Sequence, residues 1–298
     1  MEYKSLGKSD LQVSRVSFGC MSLGEDNLMN NDLLHTALNQ GINLFDTADL
    51  YGNGENEKTV GQAFKGIRNQ VIISTKVGNQ WRPDGSGWDW NPTKEYILKA
   101  VDKSLQRLQT DYIDLYQLHG GTLNDPIDDT IEAFERLQKS GKIRYYGISS
   151  IRPNVIREYI KHSHIVSVMM QYSLLDRRPE ESTFNLLTEN NIGVLARGSL
   201  AQGLLAGKPA KAYLNYSPEQ VSTAAQAIQK LAGNSRTAAE IATHFVLNHS
   251  AVTTAVLGVR TSEQLNQALT VSQSLALTPA ETEQLLQALP MNTYEQHR

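Results

Sequence analysis

The chain contains a single cysteine, Cys20, so its 298 residues cannot form an internal disulfide bond. No apolar run approaches the roughly 18 residues that a membrane-spanning helix needs. Residues 1–5 have neither the basic part nor the apolar part of a secretion signal. The sequence therefore argues against a disulfide-stapled secreted scaffold and against a membrane protein, and we expect a cytoplasmic protein.

Neither sign of charge dominates, since 28 lysines and arginines stand against 31 aspartates and glutamates, for a net charge of −3. This balance argues against a nucleic-acid-binding surface. The seven histidines are scattered, and the one close pair, His162 and His164, lies in a polar segment without further candidate ligands. We therefore expect no metal and no nucleic acid or membrane partner, but a small-molecule substrate. The oligomeric state stays open.

Short β-rich runs alternate with longer helical runs along almost the whole chain. The predicted strands are 16–19, 43–46, 71–76, 113–118, 145–149, 166–171, 193–196 and 254–257. The predicted helices are 32–40, 57–64, 93–108, 128–140, one that begins near residue 153, 181–190, 218–231, 238–248 and 262–269. Two segments lie outside this repeat: residues 3–13 predict a short hairpin, and residues 279–289 predict an extra terminal helix.

Eight successive βα units in a chain of this length predict an α/β fold, the (β/α)8 TIM barrel, which typically takes about 250 residues. No linker rich in proline, glycine or serine interrupts the repeat, so we expect residues 1–298 to form one domain. The rival fold, a doubly wound open sheet, would carry a G-x-G-x-x-G segment after a strand. Residues 52–55 come nearest to that pattern and lack its third glycine.

Four ionisable side chains are predicted at neighbouring strand ends, where barrel enzymes carry their functional residues. Asp46 ends the second strand, Tyr51 lies in the loop after it, Lys76 ends the third strand and His119 ends the fourth. Each has an ordinary structural explanation taken alone; Asp46, for example, could cap a turn. Because all four converge on one rim, a catalytic site is the better interpretation.

These residue types suit the reduction of a carbonyl group. A tyrosine is a poor proton donor at neutral pH, since its usual pKa is about 10. A nearby ammonium stabilises a phenolate, and a carboxylate keeps that ammonium charged and oriented. A histidine can orient the carbonyl oxygen. No side chain donates hydride, so a nicotinamide cofactor must supply it.

Three segments carry a resemblance to a known family. Residues 41–52, 72–76 and 111–119 resemble the signature segments of the aldo-keto reductase superfamily, in particular its bacterial NADPH-dependent oxidoreductases. The likeness extends from about Leu6 to Leu269, with the motifs in the family's order. The resemblance implies a catalytic tetrad with Tyr51 as the general acid. Its members would be Asp46, Tyr51, Lys76 and His119.

The same resemblance implies where the cofactor binds. Residues 147–150 resemble the segment that binds the nicotinamide carboxamide, although Ser150 stands where the family usually has asparagine. Residues 196–205 resemble the loop over the pyrophosphate, and residues 257–264 resemble the segment that holds the adenosine end. The implied cofactor-binding residues are Gly19, Met21, Asp46, Ser149, Ser150, Gln171, Arg197, Gly198, Ser199, Leu200, Gln202, Gly203, Leu204, Gly258, Arg260 and Gln264.

Three of the matched positions bear on how the cofactor is held. Arg197 stands where many family members stack an aromatic residue on the nicotinamide, so it either stacks there as a planar cation or pairs with a phosphate. Arg260 could pair with a 2′-phosphate through two hydrogen bonds, which favours NADPH (NADP⁺) over NADH. Ala268 stands where the family often has an asparagine on the adenine.

All three tryptophans lie in the loop after the third strand, residues 79–90. We interpret Trp81, Trp88 and Trp90 as an aromatic wall over a substrate pocket that also contains Tyr51 and His119. The alternative is that the tryptophans anchor the loop on neighbouring helices.

The sequence thus predicts NADPH-dependent reduction of an aldehyde or ketone to an alcohol. Two alternatives from other classes stay open. One is an aldolase that forms a Schiff base on Lys76. The other is a slow, NADPH-binding regulatory or sensor subunit, of which the superfamily has examples.

Overall fold

The computed structural model describes residues 1–233 and 235–298. Eight of its strands are parallel and form the barrel: β3 (Val16–Gly19), β4 (Leu44–Asp46), β5 (Ile72–Val77), β8 (Ile113–Leu118), β9 (Ile143–Ser149), β10 (Ser167–Gln171), β11 (Gly193–Arg197) and β12 (Val252–Gly258). Each pairs with the next in chain order, and β12 pairs with β3, so the sheet closes on itself.

Four short strands form two antiparallel hairpins outside the barrel. They are β1 (Tyr3–Ser5), β2 (Gln12–Ser14), β6 (Asn79–Trp81) and β7 (Trp88–Trp90). The first hairpin was predicted. The second lies in the tryptophan-rich segment, which we expected to be a loop without strands.

Helices surround the barrel, and their apolar faces pack on it. They are α1 (Asn27–Asn39), α2 (Glu55–Ala63), α3 (Lys94–Leu108), α4 (Ile127–Lys139), α5 (Pro153–His162), α6 (Thr183–Glu189), α7 (Pro218–Ala232), α8 (Ala238–Asn248), α9 (Ser262–Val271) and α10 (Pro279–Ala288). Side-chain caps define several helix starts, and α7, α8 and α10 begin with capping boxes. Of the described helices, none has both the length and the apolar character needed to cross a membrane.

The predicted (β/α)8 barrel, its N-terminal hairpin and its extra C-terminal helix are confirmed. The element bounds differ most at α1, which begins five residues before the predicted start because Asp26 caps it. The Asp26 carboxylate accepts from the backbone N–H groups of Leu28 and Met29. The first turn of α1 is polar or exposed, so its apolar periodicity starts late. Strand β5 continues one residue beyond Lys76, to Val77.

The hairpin of β1 and β2 closes the N-terminal end of the barrel. Leu6, Leu11 and Val13 are buried against side chains from inside the barrel, among them Leu44 and Leu195. This end is therefore filled with apolar groups. Polar chemistry is left to the opposite end, where the strands terminate.

Gly7 lets the hairpin approach the barrel backbone closely. Its φ is +55°, and a Cβ atom there would lie 2.3 Å from the Val166 carbonyl oxygen and 2.7 Å from the Gly193 nitrogen. Neither backbone atom can swing away as a flexible side chain could. The residue must therefore be glycine for both conformational and steric reasons.

We expect Gly7→Ala to lower the free energy of unfolding by about 2–5 kcal/mol, from left-handed strain together with the steric clash. The matched control is Gly66→Ala, since Gly66 also has a positive φ, +84°, but a Cβ there meets nothing within 4 Å. The control should lose only about 1–2 kcal/mol. Urea denaturation of the three proteins measures the difference, and equal losses would show that the close approach of Gly7 is unimportant.

Candidate active site

The ends of three neighbouring strands bring the predicted tetrad together. Asp46 is the last residue of β4, Lys76 is the second-last residue of β5, and His119 directly follows β8. The backbone N–H of His119 donates to the Val77 carbonyl at 2.7 Å, so it is positioned as firmly as the strand itself. Tyr51 begins a short 3-10 turn after β4.

Lys76 is the centre of this group, and its side chain is only 1% exposed. Its Nζ atom donates to Asp46 Oδ2 at 2.6 Å and to the Thr47 carbonyl at 2.7 Å. The hydroxyl of Tyr51 lies 3.3 Å from the same Nζ atom. Burial opposes the charged ammonium, but the Asp46 carboxylate and the Tyr51 phenol outweigh it and raise the pKa of Lys76 above its usual value.

A chain of buried polar side chains supports the ion pair from inside the barrel. Ser74 donates its hydroxyl to Asp46 Oδ1 at 3.0 Å, and Gln117 donates its amide to the Ser74 hydroxyl at 2.8 Å. All three residues come from adjacent strands. Both oxygens of the Asp46 carboxylate are therefore satisfied, which holds the carboxylate in one orientation.

Tyr51 and His119 face each other across the mouth of the barrel. Their rings are 5.9 Å apart, centroid to centroid, and nearly perpendicular at 83°. Burial, followed by the charges of Lys76 and Arg197, lowers the pKa of His119 to about 3. The imidazole is therefore neutral at physiological pH. Among the described residues, its Nδ1 atom has no hydrogen-bond partner.

The tetrad lies at the base of a cleft of about 640 Å³. The lining residues include three of its members, Tyr51, Lys76 and His119, together with Ser149, Ser150 and Arg197. The arrangement can deliver a proton from the phenol to a bound oxygen atom, with an ammonium to stabilise the phenolate that remains.

The sequence pattern of the Aldo/keto reductase family matches residues 15–289. The chain belongs to the aldo-keto reductase family. It is therefore an oxidoreductase that acts on carbonyl compounds, and aldo-keto reductases use nicotinamide cofactors.

Two curated relatives and one solved structure illustrate the match. The chain is 47% identical to the uncharacterized oxidoreductase YqkF of Bacillus subtilis, over 100% of both chains. It is 35% identical to the NADH-specific methylglyoxal reductase of Escherichia coli, over 70% of each chain. The holo structure of aldo-keto reductase AKR11C1 from Bacillus halodurans superimposes with a TM-score of 0.94 and 48% identity, covering 100% of this chain and 99% of that one.

A second cleft of this aldo-keto reductase, of about 420 Å³, lies at the ends of β11 and β12. It collects most of the residues implied for the pyrophosphate and adenosine: Gly198, Ser199, Leu200, Gln202, Gly203, Gly258 and Gln264. Leu204 is not among its lining residues, and its side chain is buried in the core at 1% exposure. Leu204 therefore supports the loop from behind.

This cleft fits the phosphate part of a nicotinamide cofactor. Ser199 is 1% exposed, and its hydroxyl has no partner among the described residues, so a ligand oxygen could satisfy it. The loop turns back sharply, with positive φ at Gly198, Ala201, Gln202 and Gly203. Lys208, also in the cleft, adds a cation that suits a phosphate.

Sequence reasoning missed Lys208 and Ser22, which both line this cleft. Lys208 packs its stem on Gly203, since a Cβ atom at Gly203 would lie 2.9 Å from the lysine side chain. The signal available in the sequence was a lysine directly after Gly207, three residues beyond the segment 196–205 that resembles the pyrophosphate loop.

Two side chains expected on the carboxamide, Gln171 and Ser150, already have hydrogen-bond partners within the protein. Gln171 donates its amide to the Tyr213 hydroxyl at 2.9 Å, and its oxygen accepts from Arg197 at 3.2 Å. The Ser150 hydroxyl accepts from the backbone N–H of Arg152 at 3.2 Å. Arg197 therefore lies at the boundary between the two clefts, tethered to Gln171.

Arg260 lies in a wide groove that continues from the second cleft, and Met21 and Gly258 line that groove too. The backbone N–H of Arg260 donates to Gln264 Oε1 at 2.8 Å, which fixes the turn before α9. The guanidinium is exposed and makes no ion pair within the described residues. Gly19, the remaining implied residue, ends β3 with its Cα facing the Leu257 backbone.

The three tryptophans have different roles. Trp88 and Trp90 line the tetrad cleft, as expected, but Trp81 is not among its lining residues. The indole N–H of Trp81 donates to the Leu50 carbonyl at 3.1 Å, directly before Tyr51. The geometry thus corrects the expectation for Trp81, which anchors the loop that carries Tyr51 instead of forming the wall.

Trp90 combines both roles. Its indole N–H donates to Asp125 Oδ1 at 3.0 Å, and Asp125 in turn accepts from the backbone N–H and the hydroxyl of Thr122. Its ring packs on Gly78 and Gly120, where an added Cβ atom would lie within 3.3 Å of it. The β6–β7 hairpin is therefore tied to the Tyr51 loop on one side and to the His119 loop on the other.

We expect His119 to stay neutral down to acidic pH. The unfolded chain takes up this proton near the usual pKa of about 6.5, whereas the folded chain takes it up only near 3. Between these values the unfolded state binds more protons, so the free energy of unfolding falls as the pH drops through this window.

Urea denaturation at pH 7 and at pH 4.5 measures this loss, and His119→Gln should lose less than the parent protein. Histidine NMR, with the variant to identify the signal, should show no His119 titration between pH 5 and pH 8. A midpoint near 6.5 would contradict the neutral imidazole.

Proposed function

We propose that this aldo-keto reductase reduces aldehydes or ketones to alcohols with NADPH, and that Tyr51 is the general acid. The observation that carries the proposal is the position of Lys76, whose Nζ atom lies 2.6 Å from Asp46 Oδ2 and 3.3 Å from the Tyr51 hydroxyl. A charged, buried ammonium beside a phenol at the base of a cleft favours proton transfer from that phenol.

Each member of the tetrad has a separate task in this proposal. Bound NADPH supplies the hydride to the carbonyl carbon. Tyr51 gives its hydroxyl proton to the carbonyl oxygen as negative charge develops there, and the phenolate that results is stabilised by Lys76. Asp46 keeps the ammonium in place, and the neutral imidazole of His119 orients the substrate oxygen.

The structure gives no support to an aldolase that uses Lys76. Schiff-base formation needs a neutral amine that can reach the substrate. Lys76 is 1% exposed, its ammonium is paired with Asp46, and its pKa is raised above the usual value by Asp46 and Tyr51 against the effect of burial. A slow sensor subunit would use the same site, and the rate of turnover distinguishes it from an enzyme.

The preference for NADPH depends on Arg260 in this proposal. The Arg260 guanidinium lines the wide groove without an ion-pair partner among the described residues, while its backbone N–H is held by Gln264. A 2′-phosphate could accept two charged hydrogen bonds from it. A relative at 35% identity is NADH-specific, so the preference must come from individual residues and not from the family.

We expect Tyr51→Phe to lower kcat for carbonyl reduction by about 10²–10⁴-fold, because general acid catalysis contributes that much. Binding of NADPH should change little, because the substitution removes only the hydroxyl that donates the proton, and Tyr51 does not line the second cleft. Steady-state kinetics and a fluorescence titration of the cofactor measure the two effects.

Tyr3→Phe is the control, since Tyr3 lies in the β1–β2 hairpin at the opposite end of the barrel. It should react at the parent rate. Turnover of Tyr51→Phe within a few-fold of the parent would assign the proton to another group.

We expect Arg260→Ala to weaken NADPH binding by about 10- to 150-fold while NADH binding changes little, because one or two charged hydrogen bonds are lost. Lys208→Met, which removes a cation from the second cleft, should weaken the binding of both cofactors. Titrations of the parent and both variants with each cofactor measure the six dissociation constants. If Arg260→Ala weakens both cofactors equally, the arginine does not read the 2′-phosphate.

A further inference from the structure

The tetrad cleft has an excess of positive charge. Its charged lining residues are Lys76, Arg152 and Arg197, and no aspartate or glutamate lines it within the described part of the chain. The charge of Lys76 is balanced by Asp46, but neither arginine has a carboxylate within 4 Å among the described residues. An unpaired guanidinium in a binding cleft is a ready partner for an anion.

Arg197 is bonded to Gln171 and directly precedes Gly198, which lines the second cleft, so we assign it to the cofactor side. Arg152 lies on the other side, after β9 and at the start of α5. Its Nη1 atom donates to the carbonyl of Gly121, two residues beyond His119. The guanidinium is therefore anchored to the loop that carries His119, and it lines the tetrad cleft.

The anchoring bond uses only one end of the guanidinium. With Nη1 bound to the Gly121 carbonyl, the edge formed by Nε and Nη2 has no partner among the described residues. That edge presents two parallel N–H groups, the geometry that a carboxylate or a phosphate accepts bidentately. A neighbouring C-terminal cleft is lined by residues 151–152, 178, 214–215 and 293–297. There the same edge of Arg178 is already occupied by Asp176, which accepts from Nε at 2.7 Å and from Nη2 at 2.8 Å.

Arg152 also borders that C-terminal cleft, where Glu295 is the acidic lining residue among the described residues. The two side chains make no ion pair within 4 Å. The rest of the tetrad cleft is largely apolar, with Trp88, Trp90 and Met169 among its walls. The cleft therefore suits a molecule with an apolar body and one negative end.

We propose that Arg152 binds an anionic group of the substrate, so that the preferred substrates are aldehydes or ketones that carry a carboxylate or a phosphate. This inference rests on the proposed carbonyl reduction and deepens it by naming the substrate class. Arg152 is then a specificity-determining residue, and it takes no part in hydride or proton transfer.

The test compares pairs of substrates in which one member carries an anionic group and the other does not. 4-Carboxybenzaldehyde and 4-formylbenzamide form the carboxylate pair, and glyceraldehyde 3-phosphate and glyceraldehyde form the phosphate pair. The parent protein should show a higher kcat/KM for the anionic member of at least one pair. The pair in which it does so distinguishes a carboxylate substrate from a phosphate substrate.

Arg152→Gln should lower kcat/KM for the preferred anion by about 10- to 150-fold, mainly through KM, because one or two charged hydrogen bonds are lost. Its kcat/KM for the neutral partner should fall much less, because only the bond to the Gly121 carbonyl is lost there. Arg152→Lys keeps the positive charge but not the two parallel N–H groups, so it should retain part of the preference for anions. Arg157→Gln removes an exposed arginine from the same helix and should change nothing.

Equal losses on the charged and the neutral substrate would overturn the proposal, because Arg152 would then act only by holding the Gly121 loop. The absence of any preference for anions in the parent would also overturn it. Binding of 4-carboxybenzyl alcohol against 4-(hydroxymethyl)benzamide, followed by tryptophan fluorescence, tests Arg152 without turnover. If the parent binds the acid better and Arg152→Gln does not, yet no aldehyde is reduced, then the proposed reaction fails while anion recognition stands.

Discussion

The buried ion pair between Lys76 and Asp46 is the constraint on which the site depends. A charged amine in a barrel interior costs several kcal/mol unless its protons find acceptors. Here the carboxylate of Asp46, the carbonyl of Thr47 and the hydroxyl of Tyr51 surround the ammonium. These acceptors come from a neighbouring strand and the loop after it. The contacts that stabilise the Lys76 ammonium therefore also hold the Tyr51 phenol in position.

One end of the barrel is filled with apolar side chains that stabilise the fold, and the other end carries the polar side chains of the site. At one end the N-terminal hairpin fills the interior with leucine and valine, and Gly7 allows backbone to meet backbone. At the other end the interior becomes polar, and Gln117 and Ser74 continue inward from Asp46. An apolar floor beneath a polar layer keeps the ion pair from being hydrated from below, which strengthens the interactions within it.

The barrel and the tetrad could be predicted from the sequence because both depend on local pattern: alternating periods place the strands, and strand ends place Asp46, Lys76 and His119. The roles of Trp81 and Trp90 could not. Their indole partners lie 31 and 35 residues away, and three-residue strands leave no periodicity to detect. The unpaired edge of Arg152 depends likewise on a contact between separate loops, 31 residues apart.

Through its two indole hydrogen bonds, the β6–β7 hairpin connects the loop that carries Tyr51 to the loop that carries His119. A lid that merely covered a cleft could be exchanged during evolution without touching the chemistry beneath it. This hairpin cannot be exchanged in that way, because substitutions that change its surface toward the cleft also change how it holds both loops. Substitutions in this hairpin that change which substrates are bound will therefore also change how fast they react.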